Sequence, residues 1–293
     1  MVPILVKIVN TSFPNGVFPK FCKTAKIVPI FKSGDSSLPK NYRPTSPLNV
    51  LSKLLEKVTK VCLLKFLSNN NFFTPFQNGF TARKSTECVS FNADRSIQDI
   101  LSSANLAAGL LIHFRKAFNT VDHKIHLTKL YNSGICGPSN DWFNYLLNRK
   151  QNGYHSSMST ILKSSTSSVL GPILFKIFIN NIFDLILNGK FMLYTDDILV
   201  IYKGTNENEI KDSITHGLHT ISSWLDDNRL ILNPEKTNYL FFHSSRLSPS
   251  SINTVHCRGS PIERVTNAVY LSWFTPILYA FLATPHAANS FKK

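Results

Sequence analysis

The sequence predicts an α+β fold, because strand-like and helix-like segments are mixed along the chain without the regular alternation of a doubly wound sheet. Residues 48–68 carry Leu48, Leu51, Leu54, Leu55, Val58, Val61 and Leu64 at a spacing near 3.6, which specifies a helix. Residues 191–203, FMLYTDDILVIYK, set two adjacent aspartates between two apolar runs, which specifies a β-hairpin with strands over 191–194 and 198–202.

The other elements follow in order. Residues 2–10 read as a packed helix that stops before Pro14-Asn15-Gly16. KIVPIFK at 26–32 is a strand followed by a polar loop around Gly34 and Asp35, and NYRPTSP at 41–47 is extended because proline punctuates it. A helix is expected over 87–104, a mostly apolar strand over 106–114, and helices over 121–132 and 140–148. The apolar segment 172–188 reads as helix, as does 207–228. Residues 230–232 and 239–242 are expected to pair as strands, and 254–256 to begin a further hairpin. No repeat period is visible, and low complexity is confined to 164–168 and 244–251. The last twenty residues, 274–293, follow no pattern and are expected to be disordered.

Composition narrows the function classes. Lys+Arg 32 against Asp+Glu 17 gives a net charge of +15, which suits a polyanionic partner better than an acidic or neutral balance would. The five cysteines (Cys22, Cys62, Cys88, Cys136, Cys257) are odd in number and no pair has C-x-x-C spacing, which argues against a disulfide framework and for a reducing compartment. The histidine pairs His123/His126 and His216/His219 lack partners at zinc-site spacing. No apolar stretch reaches the length of a membrane span, and the apolar start has neither the basic flank nor the cleavage site of a signal peptide.

The aspartates need more care. An Asp-Asp turn is ordinary, since Asp tolerates turn geometry. Strands apolar on both faces imply burial, however, and a buried pair of like charges is costly unless a cation is present. Two carboxylates on a rigid hairpin are also what a two-metal phosphoryl-transfer site uses.

The neighbouring segments resolve this ambiguity. In order along the chain stand AKIVPIFKSGD (25–35), NYRPTSPLNV (41–50), LSKLLEK (51–57), QNGFTARKST (77–86), KAFNTVDH (116–123), WFNYLLNRKQ (142–151), SVLGPILF (168–175), YTDD (194–197) and, after Trp224-Leu225 and Asn228-Arg229-Leu230, LNPEKT (232–237). Together these blocks resemble the reverse transcriptase of non-LTR retrotransposons, particularly the jockey-like elements, over roughly residues 5–272. The resemblance implies a right-hand polymerase with fingers over about 1–104, a palm with an antiparallel sheet over about 105–273 into which further fingers helices are inserted, a thumb largely missing, and an unpatterned tail at 274–293. It implies RNA-directed DNA synthesis, in which a primer 3′-hydroxyl attacks a dNTP on an RNA template, inside the cell and away from membranes, in nucleus or cytoplasm.

The resemblance also implies roles. Asp196 and Asp197 match the family's pair of ligands to two Mg²⁺ ions. Lys32 and Arg43 match fingers positions that contact the incoming triphosphate and base. Phe118 matches the ring beneath the sugar that rejects a 2′-hydroxyl, and Lys236 matches a proton donor to the leaving pyrophosphate.

The chain departs from the family in named places. The first-block aspartate, five residues before Phe118, is His113, and Mg²⁺ strongly prefers oxygen to imidazole nitrogen. Asn119 also replaces an aspartate. Ser165-Thr166-Ser167 stands where the family has Pro-Gln-Gly, so that Thr166 occupies the nucleotide-binding glutamine position, and Thr81 stands where arginine is frequent. The expected reading is a truncated, decayed copy whose polymerase is impaired, with two alternatives: a catalytically dead remnant that still binds nucleic acid, or an element-derived reading frame without function.

Overall fold

A computed structural model describes the chain except residues 1, 23–24, 27, 46, 82–83, 104, 116, 149–150, 153–167, 186–187, 243–254, 267 and 269–293. In chain order the helices are α1 (Val2–Ser12), α2 (Val50–Asn69), α3 (Thr86–Ser102), α4 (Ala117–Thr120), α5 (His123–Asn132), α6 (Pro138–Leu147), α7 (Gly171–Ile179) and α8 (Glu207–Asp227). The strands are β1 (Ala25–Lys26), β2 (Val28–Phe31), β3 (Tyr42–Thr45), β4 (Leu106–His113), β5 (Gln151–Asn152), β6 (Gly189–Tyr194), β7 (Asp197–Gly204), β8 (Asn238–Phe242), β9 (Val255–Cys257) and β10 (Ser260–Arg264). They form two compact units, one of residues 1–73 and 116–180, the other of 74–115 and 181–293.

The second unit is built on a six-stranded sheet of order β6-β7-β4-β8-β10-β9, antiparallel throughout except for the parallel β8–β10 pair. Successive strand residues point to opposite faces, so one face presents Ala107, Leu111, Leu199, Ile201, Leu240 and Phe242. Val89, Ala93 and Ile97 of α3 pack there. Tyr202, of the opposite parity, lies against α8, whose Gly217 leaves room for its hydroxyl. Caps set the helix starts: Ser85 accepts from the Cys88 amide, and Asn206 from the Glu209 amide.

The first unit is mainly helical. It also carries the antiparallel β2–β3 hairpin and a two-residue parallel pairing of β1 with β5. Its core gathers around Trp142 on α6, whose indole N–H donates to the Ser12 hydroxyl at 2.9 Å and whose ring meets Phe13, Phe18 and Phe143. Asp122 caps α5 by accepting from the Lys124 and Ile125 amides.

Three expectations need correction. The apolar run 172–188 is not one helix, because α7 ends at Ile179 and a 3-10 turn follows over Asn180–Asp184. Asn180 ends the helix, its side-chain amide donating to the Phe72 carbonyl at 2.9 Å, a tertiary contact made where the chain leaves α7. Residues 230–232 do not pair with 239–242. Leu232 bridges Phe114 instead, while β8 pairs with β4, because the intervening Asn233–Thr237 turn folds against the end of β4. Helix α1 forms, but Val2, Ile4 and Val6 are exposed, Leu5, Ile8 and Val9 are half-buried, and Ser12 is its one buried residue among those described.

Candidate functional site

The hairpin tip is where charge collects. Strands β6 and β7 pair through Tyr194↔Asp197, which leaves Thr195 and Asp196 as a two-residue loop with Thr195 at φ 62°. Asp197 therefore belongs to the strand and only Asp196 to the turn. On its other side β7 pairs with β4, and in that register Asp197 lies directly opposite His113. Directly opposed residues share a face of the sheet. The His113 Nδ1 accordingly lies 2.9 Å from the Asp197 Oδ1, both side chains about a third exposed or less, at 27% and 31%. The sheet thus brings His113, Asp196 and Asp197 together. Burial pushes the Asp196 carboxyl above its ordinary range, and the neighbouring Asp197 charge pushes the same way, while His113 opposes them.

Two segments brace this tip. The first is Gln77-Asn78-Gly79-Phe80. Gln77 forms a parallel bridge to Leu193, the Asn78 amide donates to the Leu193 carbonyl at 3.0 Å, and the Gln77 side-chain oxygen accepts from the Gly79 amide at 3.1 Å. A Cβ on Gly79 would come within 2.2 Å of the Thr195 backbone nitrogen, so only glycine lets the two backbones meet. The second is the turn after Leu232. The Asn233 amide donates to the His113 carbonyl at 2.9 Å, and the His113 amide donates to the buried Thr237 hydroxyl at 3.3 Å. Lys236, immediately before Thr237, is exposed. Sequence reasoning marked both segments but gave no bracing role to Gln77, Gly79 or Thr237. The glycine inside Q-x-G-F was the available signal.

The remaining expected residues belong to the first unit or fall outside the described residues. Arg43 pairs with Ile30 across the β2–β3 hairpin, and the amide of Lys32, which is exposed just beyond β2, donates to the Asn41 carbonyl at 2.9 Å. The side chains of Arg43 and Asn119, and residues 165–167 with Thr166, lie outside the described residues, as do residues 274–293. Phe118 on α4 is half-buried, its ring 4.3 Å from that of Phe175 on α7.

The donor set at the tip, two carboxylates with an imidazole lying against one of them, does not fit a pair of Mg²⁺ ions, which need a cage of oxygens. Among the described residues no three His, Cys, Asp or Glu side chains are grouped so as to hold a metal ion. No helix among them is long and apolar enough to cross a membrane.

An antiparallel-dominated sheet with paired aspartates on a hairpin beside its central strand is the architecture of a template-directed polymerase palm. Residues 30–271 match the family of reverse transcriptases (RNA-dependent DNA polymerases), and the chain belongs to that family. Its similarity is to the proteins of non-LTR retrotransposons. It is 27% identical over 269 residues to the probable RNA-directed DNA polymerase from transposon BS of Drosophila melanogaster, a match covering 87% of this chain and 29% of that protein. It is 28% identical to the RNA-directed DNA polymerase from mobile element jockey of Drosophila funebris, over 91% of this chain and 30% of that protein. The chain therefore spans under a third of the curated relatives it matches. Among solved structures, telomerase from Candida Tropicalis in complex with a fragment of telomeric RNA superposes with a TM-score of 0.55 at 12% identity, covering 83% of this chain and 45% of that one. That likeness is one of fold, fingers and palm.

Proposed function

We propose that the chain is the RNA-directed DNA polymerase domain of a mobile element, adding dNTPs to a primer 3′-hydroxyl on an RNA template, and that His113 impairs it. The observation that carries this is the His113–Asp197 contact. The register of β4 and β7 sets position 113 against the aspartate pair, where a third carboxylate would complete an oxygen cage and an imidazole does not. Loss of charge stabilisation worth several kcal/mol lowers the rate about tenfold for each ~1.4 kcal/mol. Lys32, Arg43, Phe118 and the Thr166 position are the proposed nucleotide contacts, and Lys236 the proposed proton donor.

Primer extension on a primed RNA template with Mg²⁺ tests the proposal. Little incorporation by the unaltered chain and a gain of tenfold or more on His113→Asp is the expected result, by the scale above. Brisk extension by the unaltered chain, unchanged by His113→Asp, would overturn it.

The +15 charge favours a second reading, a catalytically dead remnant that holds primer–template through phosphate contacts. Its mark is affinity that falls steeply with salt whether or not His113 is replaced. If that affinity accompanies a His113→Asp variant that still fails to extend, this reading stands in place of the first.

A further inference from the structure

Glu56 is a carboxylate with no exposed surface on an otherwise basic helix. The other charged residues of α2 are Lys53, Lys57, Lys60 and Lys65, and none of them is buried. Buried carboxylates are rare unless something holds them. Oε2 of Glu56 accepts three hydrogen bonds from one short stretch, the Ser168 hydroxyl at 2.9 Å, the Val169 amide at 2.7 Å and the Leu170 amide at 3.3 Å. Those residues lead directly into α7, whose N-cap, Leu170, has no capping side chain of its own. The Ser168 hydroxyl itself accepts from the Gly171 amide at 3.0 Å, so Glu56, from another helix, anchors the residues that enter α7, Val169 and the N-cap Leu170, together with the serine that meets its first amide, and sets an acidic side chain at the helix start.

Helix α7 in turn carries Phe175, 1% exposed, and the tilted Phe118 ring rests on it with centroids 4.3 Å apart. The path from Glu56 to Phe118 is thus two contacts long: a carboxylate that fixes where α7 begins, and a ring on α7 that fixes where Phe118 lies. All of these residues belong to the first unit.

We infer that Glu56 is a positioning residue for sugar selection, setting through α7 and Phe175 the place of the Phe118 ring and so the preference for dNTP over rNTP. This rests on the proposed role of Phe118 beneath the sugar. A ring excludes a hydroxyl only while it cannot retreat, and α7 is what prevents the retreat.

The test is equilibrium binding of dATP and ATP to the full chain with Mg²⁺ and an RNA template whose primer is chain-terminated, so that no chemistry is needed. Phe118→Ala sets the floor of the dATP:ATP affinity ratio. Glu56→Gln is expected to lower the ratio most of the way to that floor while dATP affinity changes little. Phe178→Leu, which removes another buried α7 ring, is expected to lower the melting temperature and leave the ratio intact. A Glu56→Gln chain that melts lower but keeps the ratio of the unaltered chain would overturn the inference, leaving Glu56 as a helix anchor alone. If Glu56→Gln does not fold, Ser168→Ala, which removes one of the three contacts, is judged by the same ratio. If Phe118→Ala keeps the unaltered ratio, the sugar role of Phe118 fails, and the inference with it. Binding of neither nucleotide to the unaltered chain defeats the polymerase reading itself, a result distinct from all the others.

Discussion

Asp196 and His126 link pH to stability in opposite senses. The Asp196 carboxyl is held above its ordinary range by burial and by Asp197, so the folded chain binds this proton more tightly than the unfolded chain does. Its stabilising contribution is full below about pH 3.8 and is lost as pH rises through the elevated folded value. Asp196→Asn should therefore raise the melting temperature at neutral pH, by ~2–4 °C for each kcal/mol gained, with the gain vanishing in acid. A variant that melts lower at pH 7 would contradict this. His126 has the opposite sense. Its ring is fully buried, stacked on Phe178, with neither nitrogen hydrogen-bonded, and burial pulls its pKa down to about 3, with His123 and Lys129 adding to the shift. Unfolding thus takes up a proton between about pH 6.5 and about 3, and the fold loses on the order of 1 kcal/mol per pH unit across that window. Urea melts of His126→Leu should show a gain over the unaltered chain that widens as pH falls from 7 to 4. A pH-independent difference would refute the assignment.

At the scale of elements, two close approaches hold the second unit together. Gly217 of α8 lies over Tyr202 of β7, and a Cβ there would meet the Tyr202 hydroxyl at 2.0 Å. That hydroxyl is buried with no hydrogen-bond partner, and burial raises its pKa. Tyr202→Phe should then be neutral or stabilising by ~1 kcal/mol, because it removes an unsatisfied polar atom. Gly217→Ala should cost ~2 kcal/mol or more in the unaltered chain, as overpacking does. It should cost clearly less with Phe at 202, where the nearest side-chain atom would be the ring carbon at 3.2 Å. Purely additive effects in that double-mutant cycle would show that the hydroxyl is not the obstacle. The second approach is that of Gly79 to Thr195. Gly79→Ala should displace the tip without touching either aspartate. Its expected mark is loss of the extension gained by His113→Asp, with the melting temperature lowered by only a few degrees.

For the whole molecule, a charge of +15 sets stability against the nucleic-acid affinity proposed for the chain. Self-repulsion destabilises the compact state, and salt screens it. Raising salt from about 50 to about 200 mM should raise the melting temperature while lowering primer–template affinity by orders of magnitude, since each neutralised phosphate adds to the salt slope. Parallel movement of the two quantities would show that charge governs neither.

A 3.6 repeat of apolar side chains placed α2, because it has one economical way to be buried, and two apolar runs around a polar turn placed the hairpin. Ordered motifs named the aspartate pair, since those blocks are local in sequence. The motifs grouped position 113 with the aspartate pair, but they could not say that it stands opposite Asp197 in particular, that Leu232 bridges Phe114, or that Glu56 anchors the entry to a helix more than a hundred residues away. Those facts depend on strand register and on which helix supplies an acceptor to another's open end. Both are set by contacts between segments far apart along the chain, which leave no periodic trace in either one.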